Sequence, residues 1–440
     1  MNPNDNPNDD ENENQFGFNI DPESISGMIN EMLSGSAFSM GQNMQGGPMG
    51  IAERVAADIA SKEIEDGAVD QNEIATPSQQ DPMLEIMNIM SMLSTPPTKT
   101  LALNIDKEFL ARCEQIFPAA QNYVSGVTNS DAINSIELQV TDRVTWTKDY
   151  LTSMKGPLEV ASKSLSPTFD DGTNEQNQQM GFDIQSMIAK SIAPMMFGVQ
   201  AGTMLGFLSH RVYGDDDILL PVRLDNRVGL IASAVQKFID EWSVEADGAI
   251  LYFLILQSVR AHIRKTSWLT NKLDDLCTKY VAAYELNPYK LQELMSDIDM
   301  SNPESITAIS VTPEQMFETL RTPAHDVLDE EIGIISSLHD AYVDYLVHKN
   351  LSQLLPDYHV IQEARKRITV TTSDADRFIE QLFGVATTRT EKQEASDFIN
   401  GVIERDQEEL LHKLFIDERY IPTESEFAAP GLWLARIELM

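Results

Sequence analysis

From about residue 101 to the C-terminus, apolar residues recur at helical spacing and almost nowhere alternate as a half-buried strand requires. A chain patterned this way must bury its core between helices. Phe109, Leu110, Cys113, Ile116 and Phe117 form one such face, which is expected to end at Pro118. The same periodicity predicts helices over 130–155, 181–213, 226–242, 246–286 (with a break), 313–321, 325–350, 357–367, 374–383 and 390–415. One run, ITVTT over Ile368–Thr372, is β-branched enough to predict a strand. No repeat of 20–50 residues is present, so a solenoid is excluded. The expected fold is mainly α with little or no sheet, and residues 101–440 form one helical domain.

Residues 1–100 have a different composition. They hold 17 acidic and 3 basic residues, which supply −14 of the chain's formal charge of −37. Asn, Asp, Gln, Gly and Met dominate, and such a segment buries too little apolar surface to offset its ordering entropy. It is expected to be an acidic, largely disordered tail carrying three short amphipathic helices. The first spans 22–34, with Ile25, Met28, Ile29, Met32 and Leu33 on one face, Asp21 as N-cap and Gly35 as stop. The second is IAERVAADIASK from Ile51, and the third spans 82–94 before Pro96-Pro97. Methionine-rich helices adapt to irregular grooves, so 22–34 and 82–94 are candidate docking segments for a protein partner. Folding back onto their own domain is the plainer alternative.

Charge and hydropathy exclude several classes. A net of −37 opposes nucleic acid, which needs a basic footprint, and opposes anionic membrane surfaces. The most apolar stretch, Met187–Leu208, is interrupted by Lys190, Pro194 and Gln200, so it does not read as a bilayer span of roughly 20 apolar residues. Cys113 and Cys277 lie far apart with no CxxC and no Cys/His cluster, which fits a reducing cytoplasm. The first 15 residues lack the basic and apolar regions of a signal peptide. No nucleophile elbow, P-loop or dinucleotide fingerprint occurs. Asp215-Asp216-Asp217 lacks the spaced ligands and glycine of a calcium loop and reads as a turn with capping carboxylates. Trp242, Trp268 and Trp433 read as core or rim packing.

A zinc hydrolase of the HExxH type needs two imidazoles four residues apart on one helix, so that both face one ion. It also needs a carboxylate beside the first to take a proton from the metal-bound water. The seven histidines are His210, His262, His325, His339, His348, His359 and His412, and no two are four apart. The motif is therefore absent from the whole chain.

Two segments nevertheless resemble the core of an actinobacterial zincin-like hydrolase or zinc-dependent metalloprotease family. They are GFDIQSMIAKSIAPMMFGVQAGTMLGFLSHRVYGDDDILLPV over 181–222 and ADGAILYFLILQSVRAHIRKTSWL over 246–269. The FGF of the tail, Val144–Trp146, LHDAYVDYLVH over 338–348 and GLWLARIE near the C-terminus follow the family's order, so the likeness spans most of the chain. Some relatives carry a label of association with deazaflavin-cofactor biosynthesis. The resemblance implies a large zincin-like helical domain.

Where the family carries its catalytic helix motif, this chain reads Leu256-Gln257-Ser258-Val259-Arg260. One register puts Leu256 at the first ligand, Gln257 at the glutamate and Arg260 at the second ligand, with Trp268-Leu269 following after a one-residue deletion. An ungapped register puts Leu256 and Val259 at the glutamate and second-histidine positions instead. Both remove the site: leucine offers no lone pair, glutamine is no general base, and arginine stays protonated and repels a cation. His262, two residues beyond Arg260, lies about 200° round the helix and does not rescue it. The resemblance puts Asp340 at the third-ligand position, with Asp344 one turn on, but a solvated acidic face on an amphipathic helix is the plainer reading of both. Active relatives would use zinc, whereas this chain is expected to bind none and to be a pseudoenzyme of the family. The alternative is a non-catalytic interaction or scaffold protein that uses the old groove and the Met-rich tail helices.

Overall fold

In the computed structural model the described residues are 47–61, 105–164, 198, 201–221, 226–285, 317–318, 320–370 and 374–440. The tail segments 22–34 and 82–94 lie outside them, as do 181–197 and Thr371–Thr372. The described part is mainly helical, with one two-stranded sheet. In chain order the elements are α1 Gly47–Ser61, α2 Lys107–Thr128, β1 Glu137–Thr141, α3 Arg143–Ser153, α4 Lys155–Ser164 and α5 at 201–208. There follow β2 Arg227–Ile231, α6 Ala232–Trp242, α7 Ala246–Arg264, α8 Ser267–Ala282 and α9 Ala324–Leu354. The chain closes with α10 Tyr358–Val370, α11 Asp374–Phe383, α12 Arg389–Ile403, α13 Glu424–Ala428 and α14 Pro430–Glu438.

Helix α7 is the axis of the core. Twelve of its residues are buried, including Ile250, Phe253, Leu254, Ile255 and Val259, and a helix apolar on nearly all sides belongs inside a large domain. Glu245 caps its start, accepting from Asp247 N and Gly248 N. It packs on α2 and α9, while α9 packs on α12 and α8 on α4.

Several expected boundaries shift. The predicted helix at 130–155 opens instead as a short 3₁₀ turn at Asp131–Ser135 and then β1, before α3 begins. The predicted helix at 226–242 begins with β2. These strands pair in parallel, Glu137 opposite Arg227 and Thr141 opposite Ile231. Both are only five residues long, too short for alternation to stand out from helical noise. The predicted strand at Ile368–Thr372 is corrected over its described part, because Ile368–Val370 continue α10; tertiary context overrides a local β preference. Helix α2 runs through Pro118 to Thr128. Pro118 sits on the exposed face, so the carbonyl it leaves unpaired can meet water.

The piece predicted from Ile51 folds onto the body as part of α1, Gly47–Ser61. Its Ala52 and Ala56 are fully buried, and the helices approach so closely that a Cβ on Gly202 of α5 would lie 2.4 Å from Ala52 O. His210 Nε2 meets Ile59 O at 3.1 Å, and Lys148 pairs with Glu53 at 3.5 Å. Helix α5 runs from this contact into the turn that carries Asp215, Asp216 and Asp217.

Candidate functional site

Leu256, Gln257 and Arg260 all lie on α7, and the latter two face that acidic turn. Leu256 is buried as an ordinary core residue. The Gln257 amide is used at both ends: Nε2 donates to Asp217 Oδ1 at 2.9 Å, and Oε1 accepts from Asp216 N at 3.3 Å. Arg260, one turn further along, pairs through Nη1 with the same Asp217 Oδ1. Asp217 Oδ2 accepts from Tyr213 N and from Gly214 N, the latter at 3.2 Å. A carboxylate offers about four lone-pair positions, and these donors fill them. Two guanidiniums, Arg260 and Arg365, hold Asp217 below the ordinary carboxylate range, although burial alone pushes it up.

The neighbouring aspartates follow suit. Asp215 Oδ2 accepts from Arg227 Nε at 2.8 Å, and Arg227 Nη1 reaches Asp149 at 2.9 Å and Gln139 at 2.7 Å. Asp216 pairs with Arg264, whose Nη2 also donates to the Arg227 carbonyl at 2.8 Å. Each of the three consecutive aspartates thus meets its own arginine, and ion pairing is added to the capping of the turn's backbone by Asp217. Burial dominates at Asp215 and lifts its pKa to about 6, against the pull of Arg227. Two glycines make the approach possible: a Cβ on Gly229 would lie 2.0 Å from Asp215 Oδ2, and one on Gly214 would lie 2.5 Å from Gln257 Cδ.

Asp340 stands across from this network on α9. Its side chain is 47% exposed, reached by water although protein surrounds it on most sides. Its contact with His339 Nδ1 is long, 3.5 Å. Burial works to raise its pKa, but His339 and Arg260 prevail and lower it. Asp344 is exposed to water on α9; the protein packed around it raises its pKa, and His348 and Arg260 oppose that rise. His348 Nε2 meets Gln362 Nε2 at 3.0 Å. Arg365 lies 4.9 Å from the centre of the Tyr213 ring, which stacks on Phe253 at 4.4 Å. His262 is half-buried, and burial lowers its pKa.

Sequence reasoning singled out Gln257, Arg260 and Asp340 but missed Asp217 as the hub that joins Gln257 and Arg260, along with Arg365, Arg264 and His339. A small cavity of about 20 Å³, room for roughly one water, is lined by Asp216, Arg260, Arg264, Thr270 and His339 with aliphatic neighbours. The Asp215–Asp217 run was the available signal, but its partners come from β2, α7 and α10, and no local spacing links them.

The zinc site implied by the resemblance does not fit these residues. Among the described residues no group of three or more His, Cys, Asp or Glu could hold a metal ion. Asp217 has its oxygens committed to four donors, and a guanidinium occupies the neighbourhood a cation would need.

A family model described as zincin-like metallopeptidase matches residues 104–434. Among solved structures, the chain is similar to a Chloroflexus aurantiacus protein described as a candidate hydrolase with a novel fold. The two share 14% identity at a TM-score of 0.49, over 88% of this chain and 97% of that one. No curated protein sequence matches the chain.

Proposed function

The chain belongs to the zincin-like metallopeptidase family, and from that premise we propose that it is a non-catalytic member whose former metal site serves as a structural ion-pair network. The observation that carries this reading is the commitment of Gln257 and Arg260 to Asp217. A working zincin supplies a metal-bound water and a carboxylate to deprotonate it. Here the position expected to bear that carboxylate is an amide whose two ends are already hydrogen-bonded, and the expected second ligand is a permanent cation.

What remains is a scaffold whose helix α9 carries the half-exposed Asp340 and the exposed Asp344. The Met-rich segments 22–34 and 82–94 are suited to recruiting a protein partner. Two buried free thiols suit the cytoplasm, and burial pushes Cys113 up to about 12. No described helix is long and apolar enough to cross a membrane.

The test is elemental analysis of the full chain, purified without chelator, together with an assay of peptide hydrolysis. We expect far less than one zinc per chain and no turnover. Stoichiometric zinc that disappears in Asp340→Ala would overturn the proposal.

A further inference from the structure

We propose that the small cavity between α7, α8, α9 and the acidic turn is a binding site for one small monovalent anion, a halide or a free carboxylate. The proposal does not depend on whether the chain hydrolyses peptides.

The walls decide the size of the occupant. Leu219, Leu220, Leu269 and Leu273 supply aliphatic lining, and Arg260, Arg264, Thr270 and His339 supply polar lining together with Asp216. A volume of about 20 Å³ admits one water-sized group, which excludes phosphate esters and nucleotides.

Hydrogen-bond accounting decides the sign of its charge. The carboxylates nearby are already spent. Asp216 Oδ1 and Oδ2 accept from Arg264 Nε and Nη2, and Asp217, the partner of Arg260, accepts from four donors. Donors, by contrast, are in surplus. A guanidinium is all donor, yet among the described residues Arg260 meets one acceptor, Asp217 Oδ1, through Nη1. His339 is only 4% exposed. Its Nδ1 faces Asp340 Oδ1 at a long 3.5 Å, and its Nε2 meets no partner among the described residues. A polar nitrogen on so buried a side chain calls for an explanation.

An anion supplies one, because it only accepts and can take hydrogen bonds from Arg260 and from His339 Nε2 together. A water would bring donors of its own to a wall whose carboxylates are occupied, and a cation would meet two guanidiniums. The chain's overall charge of −37 opposes entry only weakly at physiological salt, where exposed charges beyond about 8 Å are screened.

The experiment follows thermal unfolding of the full chain at fixed sodium concentration and ionic strength, as methanesulfonate, too bulky for the cavity, is replaced by chloride or by formate. The native chain should melt about 2 °C or more higher in at least one of the small anions than in methanesulfonate. Chloride acting alone assigns a halide site, and formate acting, with or without chloride, assigns a site open to carboxylates. Two variants separate this response from general screening of surface charge. His339→Leu removes the imidazole, and Leu273→Phe fills the cavity from its aliphatic side without altering a charge. Either should lose the shift, and one serves where the other fails to fold. The inference is overturned if the native midpoint is the same in all three salts, or if a folded variant keeps the native shift.

Discussion

At the scale of single residues, Asp215 carries a consequence for pH. Its carboxyl titrates at about 6 in the folded chain against an ordinary value of 3.8. Between those values the native state holds a proton that the unfolded chain releases. Its contribution to stability is therefore fully present below about pH 4 and is lost as pH rises through 6. Asp217 is shifted downward, so its contribution is lost only as pH falls below the ordinary carboxylate range, outside this window. We expect Asp215→Asn to lose about 2 kcal/mol less than native between pH 4.5 and 7, read from urea unfolding at both values. An equal loss in both proteins would show that Asp215 is ionised throughout. What sequence alone establishes at the site is a matter of spacing: no two histidines are four apart. Sequence could not identify Asp217 as the hub, because Tyr213 N, Gly214 N, Gln257 and Arg260 converge there only through tertiary folding.

At the scale of elements, the long periodic helices were legible and the short strands were not. Helices α9 and α11 fall close to their predicted ranges, whereas β1 and β2 were absorbed into predicted helices. A five-residue strand offers two or three inward side chains, too few to outvote neighbouring helical periodicity. Helix α1 was visible as a helix and folding back was its plainer reading, but its packing partner was not legible, because alanines and glycines give no hydrophobic signal while allowing close backbone approach. That contact can be tested. Even a methyl at position 202 would fall 2.4 Å from Ala52 O and 2.8 Å from Ala52 Cα, which are backbone atoms that move only with the whole helix. We expect Gly202→Ala to cost about 2 kcal/mol and to make 47–61 newly sensitive to limited proteolysis. Native-like melting and cleavage would show that the two helices can part without penalty.

At the scale of the whole molecule, the expected division at residue 100 is open to a direct test by truncation. Ile51, Ala52, Val55, Ala56 and Ala60 are buried, and burying an Ile or Val contributes roughly 1.5–3 kcal/mol. Removing residues 1–46 should leave the melting temperature within about 1 °C of native, while removing 1–61 should lower it by about 5 °C or more. Equal melting of the two truncations would assign α1 to the tail. The family likeness is spread over 104–434, as expected of a frame whose helix packing depends on many residues. The saturated oxygens of Asp217 also bear on which changes the site tolerates. A histidine at 260 alone would strip that carboxylate of its ion pair, and a glutamate at 257 alone would set two acids against each other. Either single change costs stability, so residues 217, 257 and 260 can vary freely only as a set.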